Sequence, residues 1–380
     1  MTSFRSERMQ GIEKTLIRRV NDRADASCIN LGLGELAFPT PAAILDRLRE
    51  EIRSWPLGYT ANAGLPELRR LIAARSGPGV TPDQVCVTIG AEEAIFALLM
   101  ILVCPGDEVL VPDPGFPAYP TIVRMAGGTP VPYTLSPEKS FALDRTEVAG
   151  RVTPRTRIMI VNSPNNPTGA VYSEEDLKAL AALCRRHDLT VLSDEVYREI
   201  LFEGRAESIS RFYDRTVIID SLSKTYSMTG WRLGWCVAPP ELNPMVVTFN
   251  QLAISCPPAV CQRAAILALQ GVADDEKRRN IEELKRRRDL AAASFRRFTD
   301  LKFMTPQGAF YIYADISPKM APGARSLDVA FDLIDKAKVV TIPGEAFGRS
   351  ASRFLRVSFA APAADIEEGI RRIGLFFGRP

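Results

Sequence analysis

Lys224 sits in Ser221-Leu222-Ser223-Lys224-Thr225-Tyr226-Ser227-Met228-Thr229-Gly230-Trp231-Arg232-Leu233-Gly234, a stretch of mostly small and apolar residues directly after the β-branched run Thr216 to Asp220. Desolvation and a neighbouring cation both favour the neutral amine over the ammonium, and a neutral amine attacks an aldehyde. Arg232 supplies that cation eight residues on, and Ser221 places a hydroxyl three residues before the amine. Together the arginine and the hydroxyl fit a phosphate. The competing reading is a lysine on a solvated loop, against which Trp231, Leu233 and Trp235 argue for burial.

Two further places offer ligand chemistry. Gly90-Ala91-Glu92 joins the apolar run Val85 to Ile89 to a helix expected to begin near Glu93. Free N–H groups at a helix start bind phosphate, and a glycine permits close approach; alone, such a junction is weak evidence. Arg356 is a charge planted in the strand pattern Phe354-Leu355-Arg356-Val357-Ser358-Phe359. Its planar fork of donors matches a carboxylate bidentately; a surface-facing strand arginine is the alternative. His187 is the only histidine and sits at the charged end Cys184-Arg185-Arg186-His187-Asp188, so it reads as a helix C-terminal cation. A histidine-rich metal site or a Ser-His-Asp triad is hard to build from it, and no metal is expected.

These groups need a scaffold, and 380 residues with 46% apolar content are enough for one large core and a smaller companion. Val85 to Ile89, Glu108 to Val111, Arg157 to Val161, Thr190 to Ser193, Thr216 to Asp220 and Gly234 to Val237 read as strands buried on both faces. Between them lie helices such as Ser173 to His187, with Ser173 as cap, acids in the first turn and Leu177, Leu180 and Leu183 on one face. Ala94 to Cys104 is a buried helix, too short for the ~20 residues that span a bilayer. From Asp274 to Phe298 runs one long charged helix. Strands near Phe310 to Tyr313, Val339 to Ile342 and Phe354 to Val357 then alternate with helices near Leu327 to Lys338 and Asp365 to Phe377. The fold class is α/β: a mostly parallel mixed sheet covered by helices, plus a smaller α+β unit.

Bulk properties exclude little. A formal charge of +3 with 24% charged residues points to neither nucleic acid nor an acidic membrane. Lys285-Arg286-Arg287-Arg288 reads as a solvated helix face beside Glu282 and Glu283. Charges through Met1 to Lys14 leave no room for a secretory signal, and seven cysteines without a CxxC pair read as buried, reduced thiols; both indicate the cytoplasm.

The run from Ser221 to Gly234 resembles the lysine-attachment signature of class I and II pyridoxal-phosphate aminotransferases at every defined position. Further stations of that family appear in order along nearly the whole chain: Gly34-Glu35, Tyr59 and Gly64, Gly90-Ala91-Glu92, Phe116-Pro117-Ala118-Tyr119, Asn165-Asn166-Pro167-Thr168-Gly169, Asp194-Glu195-Val196-Tyr197, Gly308-Ala309-Phe310-Tyr311, Pro343-Gly344 and Arg356. The resemblance implies pyridoxal 5′-phosphate held by Lys224 as a Schiff base. It implies a large domain over 46–284 and a small one from the chain ends, 1–45 and 285–380. Asp194 then pairs with the protonated pyridine nitrogen, Tyr197 and Asn166 donate to the phenolic oxygen, and Phe116 stacks on the ring. Ala91, Glu92, Ser221, Arg232 and a Tyr59 from the neighbouring subunit form the phosphate cup, which makes the protein a homodimer. Arg356 grips the substrate carboxylate, with Asn166 and Gly34 beside it. Bland alternatives stand for three of these: Asp194 as a helix cap, Asn-Pro-Thr-Gly as an ordinary turn and Phe116 as a core residue.

The reaction implied is ping-pong transfer of an amino group between an L-amino acid and a 2-oxo acid, with Lys224 as general acid and base. Lyase, racemase, decarboxylase and oxygen-dependent oxidase reactions begin at the same carbanion and remain open, as does a non-catalytic amino-acid sensor. Leu36 and Ala37 stand where many relatives read Pro-Asp, and Gln251 stands near the place where dicarboxylate-specific relatives present an arginine. These departures argue against aspartate as the preferred substrate. Arg5 to Val20 is basic and amphipathic, a candidate to order over the site or the partner subunit.

Overall fold

The computed structural model describes Phe4 and residues 6–379. In chain order the strands are Ile29–Asn30 (β1), Val85–Thr88 (β2), Glu108–Asp113 (β3), Thr129–Thr134 (β4), Thr156–Asn162 (β5), Thr190–Asp194 (β6), Thr216–Ser221 (β7), Gly234–Val237 (β8), Lys302–Phe303 (β9), Tyr311–Asp315 (β10), Val339–Val340 (β11), Ile342–Pro343 (β12) and Phe354–Ser358 (β13). Seven form one sheet in the order β2-β8-β7-β6-β5-β3-β4. The five from β7 to β4 run parallel, while β8 is antiparallel to both β7 and β2. The expected mixed, mostly parallel sheet is what forms, because helices on both faces bury strands such as β3 and β6 throughout.

Strand β4 is absent from the sequence reading, since Pro130 and Pro132 argue against a strand. Thr129 and Leu135 donate their N–H groups to the Asp107 and Asp113 carbonyls beside β3, so the even-numbered residues face the open edge. There a proline loses no ladder bond.

Helix Glu174–Arg186 begins as expected: the Ser173 hydroxyl accepts the Asp176 N–H at 3.1 Å, and Leu177, Leu180 and Leu183 face the core. His187 is its C-terminal cap residue. Helix Ala91–Leu102 starts two residues earlier than expected and ends before Cys104, which is exposed. Gly90, at φ 108°, makes the turn from β2 into it.

The smaller unit holds an antiparallel sheet, β12-β13-β10-β9, and a parallel pair of β1 with β11. The single strand expected over Val339 to Ile342 is split, because β11 pairs with β1 while β12 pairs with β13. The helix expected to Lys338 runs as Ser326–Asp332 and continues as a wider turn, Leu333–Ala337. Helix Asp274–Phe298 has the expected bounds and packs against Ala363–Phe376.

Two expectations are corrected. Arg286 is exposed, but Arg287 lies over Phe38 and donates to the Ala360 and Ala361 carbonyls. Arg288 is buried against Phe202. Their long aliphatic stems cover apolar surface, so this part of the basic run is packing, not a solvated face. Of the seven cysteines only Cys86, Cys184 and Cys236 are buried. Among the described residues no helix is long and apolar enough to cross a membrane, and no group of His, Cys, Asp and Glu is placed to hold a metal.

Candidate active site

The carboxyl ends of β5, β6 and β7 deliver Asn162, Asp194 and Ser221 to one cavity of about 250 Å³, the place where parallel sheets present ligand sites. Every residue assigned to the cofactor or the substrate from the sequence lines it except Tyr59: Gly34, Ala91, Glu92, Phe116, Asn166, Asp194, Tyr197, Ser221, Lys224, Arg232 and Arg356; Leu36, Ala37 and Gln251 do not. Tyr59 is 93% exposed on its own chain.

Lys224 lies on the short helix Leu222–Thr225, capped by the Ser221 hydroxyl, which accepts the Ser223 N–H at 3.3 Å. Among the described residues its ammonium makes one hydrogen bond, donated to the Gly34 carbonyl at 2.7 Å. Burial, then the nearby Arg356 guanidinium, pushes this amine down to about 8. The loop that supplies Gly34 is tied to the Lys224 segment a second time, through the Thr229 hydroxyl, which donates to Glu35.

Asp194 is buried and accepts from the Tyr119 hydroxyl at 2.5 Å and the Val196 N–H at 3.3 Å. Burial pushes its carboxyl up to about 6, against the lowering effect of the Tyr119 bond. The Asn162 side chain fixes the strand ends here, donating to the Asp194 carbonyl and accepting the Asn166 N–H at 2.9 Å. Tyr197 turns to Tyr311, with the two hydroxyls 3.0 Å apart.

Arg232 packs against the start of helix Ala91–Leu102: a Cβ on Gly90 would lie 2.7 Å from the guanidinium Nη2. A Cβ on Gly234 would lie 2.5 Å from the Ala91 nitrogen, so glycines let strand, helix start and arginine converge. Arg232 itself sits at φ 50° and donates to the Thr229 carbonyl at 3.0 Å. Arg356, on β13, is 2% exposed and donates to Asn166 Oδ1 at 3.0 Å and the Gly32 carbonyl at 2.7 Å. Tyr311 and Phe347 flank its guanidinium at 4.3 and 4.9 Å, and among the described residues its Nε has no hydrogen-bond partner.

Unpaired among the described residues, the buried Asp194 carboxyl and the Lys224 amine, with an arginine at a helix start, fit pyridoxal phosphate: ring nitrogen, aldehyde and phosphate in turn. The sequence reading gave no role to Tyr119, Tyr311 or Asn162. Tyr119 and Tyr311 close the quoted runs Phe116 to Tyr119 and Gly308 to Tyr311, and Asn162 ends an apolar strand, but their partners are fixed only by the fold.

The family described as "Aminotransferase class I and II" matches residues 26–373. The chain is 34% identical to the aspartate/prephenate aminotransferase of Thermus thermophilus, covering 98% of this chain and 99% of that protein. It is also 34% identical to aromatic-amino-acid aminotransferase 2 of Thermococcus litoralis, covering 97% of each. The solved structure titled as the aspartate aminotransferase of Thermus thermophilus with maleate superposes with a TM-score of 0.93 at 33% identity, covering 98% of this chain and 100% of that one. By sequence, fold and cavity this chain belongs to the class I and II aminotransferases, enzymes that work with pyridoxal phosphate.

Proposed function

We propose that this enzyme moves an amino group between an L-amino acid and a 2-oxo acid in two half-reactions, with Lys224 as covalent anchor of the cofactor and as proton carrier. The observation that carries this reading is the half-buried Lys224, whose amine donates, among the described residues, only to a backbone carbonyl and is brought down to about 8 by desolvation. An amine so placed holds and releases a proton near neutral pH.

The remaining side chains bind and orient. Asp194 would pair with the ring nitrogen and keep it protonated. Tyr197 and Asn166 donate to the phenolic oxygen, and Phe116 lies against the ring. The Ala91 and Glu92 end of its helix, with Ser221 and Arg232, holds the phosphate. Arg356 binds the α-carboxylate, beside Asn166 and Gly34. When bound, pyridoxal phosphate supplies the electron sink that makes the substrate's α-proton acidic. The Lys224 amine would carry that proton at the substrate's α-carbon.

The exposure of Tyr59 supports a homodimer in which its phenol reaches the neighbouring phosphate cup. We place the cofactor-binding domain at 46–284 and the small domain at 1–45 and 285–380, in the cytoplasm. The reaction is tested by mixing holoenzyme with an amino acid in the absence of acceptor. One equivalent of 2-oxo acid per site, with the nitrogen retained on the protein, supports transfer. Free ammonia, peroxide or carbon dioxide in its place overturns it.

A further inference from the structure

Asp113 ends β3 in the large sheet, and its side chain reaches the turn between β12 and β13 of the small sheet. There Oδ1 accepts the Ser350 hydroxyl at 2.6 Å, while Oδ2 accepts the N–H groups of Arg349 and Ser350 at 3.2 and 3.4 Å. Two residues beyond Asp113, the Gly115 N–H donates to the Phe347 carbonyl at 2.8 Å. Asp113 is 6% exposed, so a bond lost here is not made good by water. Gly348 makes the approach possible: it stands at φ 148°, and a Cβ on it would collide with Asp113 Oδ1.

The turn that Asp113 holds carries Phe347, whose ring flanks the Arg356 guanidinium at 4.9 Å and meets Tyr313 edge-on at 6.1 Å. Tyr313 lies directly across from Arg356 in the register of β10 and β13. Arg356 is thus packed against a ring whose backbone is tied to the large sheet.

We infer that Asp113 is a positioning residue for substrate binding: it holds the Phe347 turn so that the Arg356 guanidinium presents its fork in line with the substrate carboxylate. This rests on the aminotransferase reading of the same site. A bidentate contact tolerates misalignment on the order of 0.5 Å, so losing the anchor weakens binding. Under that reading Arg356 grips the carboxylate equally before and during proton transfer, and loss of such uniform binding shifts half-saturation and leaves the limiting rate.

The first half-reaction of holoenzyme is followed by cofactor absorbance across a range of donor concentrations, with leucine, phenylalanine, aspartate and glutamate tried in turn and the fastest used. Asp113→Ala should raise the half-saturating donor concentration at least about tenfold and change the limiting rate less than about twofold, with borohydride labelling of Lys224 unchanged. Asp113→Asn, whose amide oxygen can still accept both N–H groups, should restore half-saturation to within about threefold of wild type. Ser350→Ala removes a single donor, keeps the test if Asp113→Ala does not fold, and should raise half-saturation at least about threefold. In an Arg356→Lys background Asp113→Ala should add less than about twofold, because both changes act on one contact. An unchanged half-saturation in Asp113→Ala or Ser350→Ala overturns the inference alone, as does an undiminished effect in the Arg356→Lys background. An unchanged value in Arg356→Lys itself overturns the carboxylate assignment along with the inference. Absence of a half-reaction with every donor overturns the reaction assignment as well.

Discussion

The Tyr119 hydroxyl donates to Asp194 Oδ2 at 2.5 Å, joining helix Ala118–Met125 to the end of β6 inside the protein. Two effects oppose each other there. Burial raises the Asp194 carboxyl and the phenol pulls it back, leaving it at about 6, above the ordinary 3.8. Burial wins because one neutral donor replaces only part of the lost hydration.

This balance gives the apoprotein a pH signature. A carboxyl whose folded value is raised contributes stability that is complete below about pH 4 and lost as pH rises through 6. Asp194→Asn has no such loss. The apo variant should therefore match wild type near pH 4 and exceed it by about 3 kcal/mol at pH 8 in urea unfolding. Tyr119→Phe should raise the Asp194 carboxyl further and deepen the loss. Parallel curves for wild type and Asp194→Asn would contradict the account.

Capture of pyridoxal phosphate by apoenzyme needs the neutral amine, so its rate should rise with pH and level off above a midpoint near 8. Arg356 is the largest charge effect lowering that amine. Arg356→Gln should move the midpoint upward, as stopped-flow absorbance of cofactor binding can show. A midpoint near 10 in wild type contradicts the desolvation of the Lys224 amine.

Arg356→Lys keeps a charge but loses the planar fork that faces the cavity. Donor KM should rise by an amount equivalent to roughly 2–5 kcal/mol, because a buried charge-assisted pairing is truncated. Steady-state kinetics with an intact cofactor spectrum is the check. An unchanged KM removes Arg356 from carboxylate binding.

Gly90→Ala tests the phosphate end. At φ 108° any side chain is strained, and the new Cβ meets the Arg232 guanidinium at 2.7 Å. The guanidinium can swing aside, so the chain should fold with a loss of about 1–3 kcal/mol. The displaced Arg232 should then weaken cofactor binding, measured by equilibrium dialysis. Wild-type affinity would place the phosphate elsewhere.

Much of this site was readable because its parts are local. Ser221, Lys224 and Arg232 fall within one twelve-residue segment, and Asp194 and Tyr197 lie three residues apart. Helix Asp274–Phe298 and most strands of the large sheet declare themselves by periodicity and β-branching. What was hidden depends on distant partners. The Tyr119 bond to Asp194 spans 75 positions, and the Arg356 bond to Asn166 spans 190. Strand β4 was hidden because its prolines are compatible only with an edge, and edge position is a property of the assembled sheet. Arg287 and Arg288 read as solvated because the sequence does not say which turn of a charged helix meets Phe38 and Phe202.

The account turns on the Lys224 amine as the anchor of the cofactor. Holoenzyme reduced with borohydride, digested and mapped by mass spectrometry should carry the pyridoxyl group on the peptide containing Lys224, and Lys224→Ala should carry none. A label on any other lysine, or its persistence in Lys224→Ala, would contradict it.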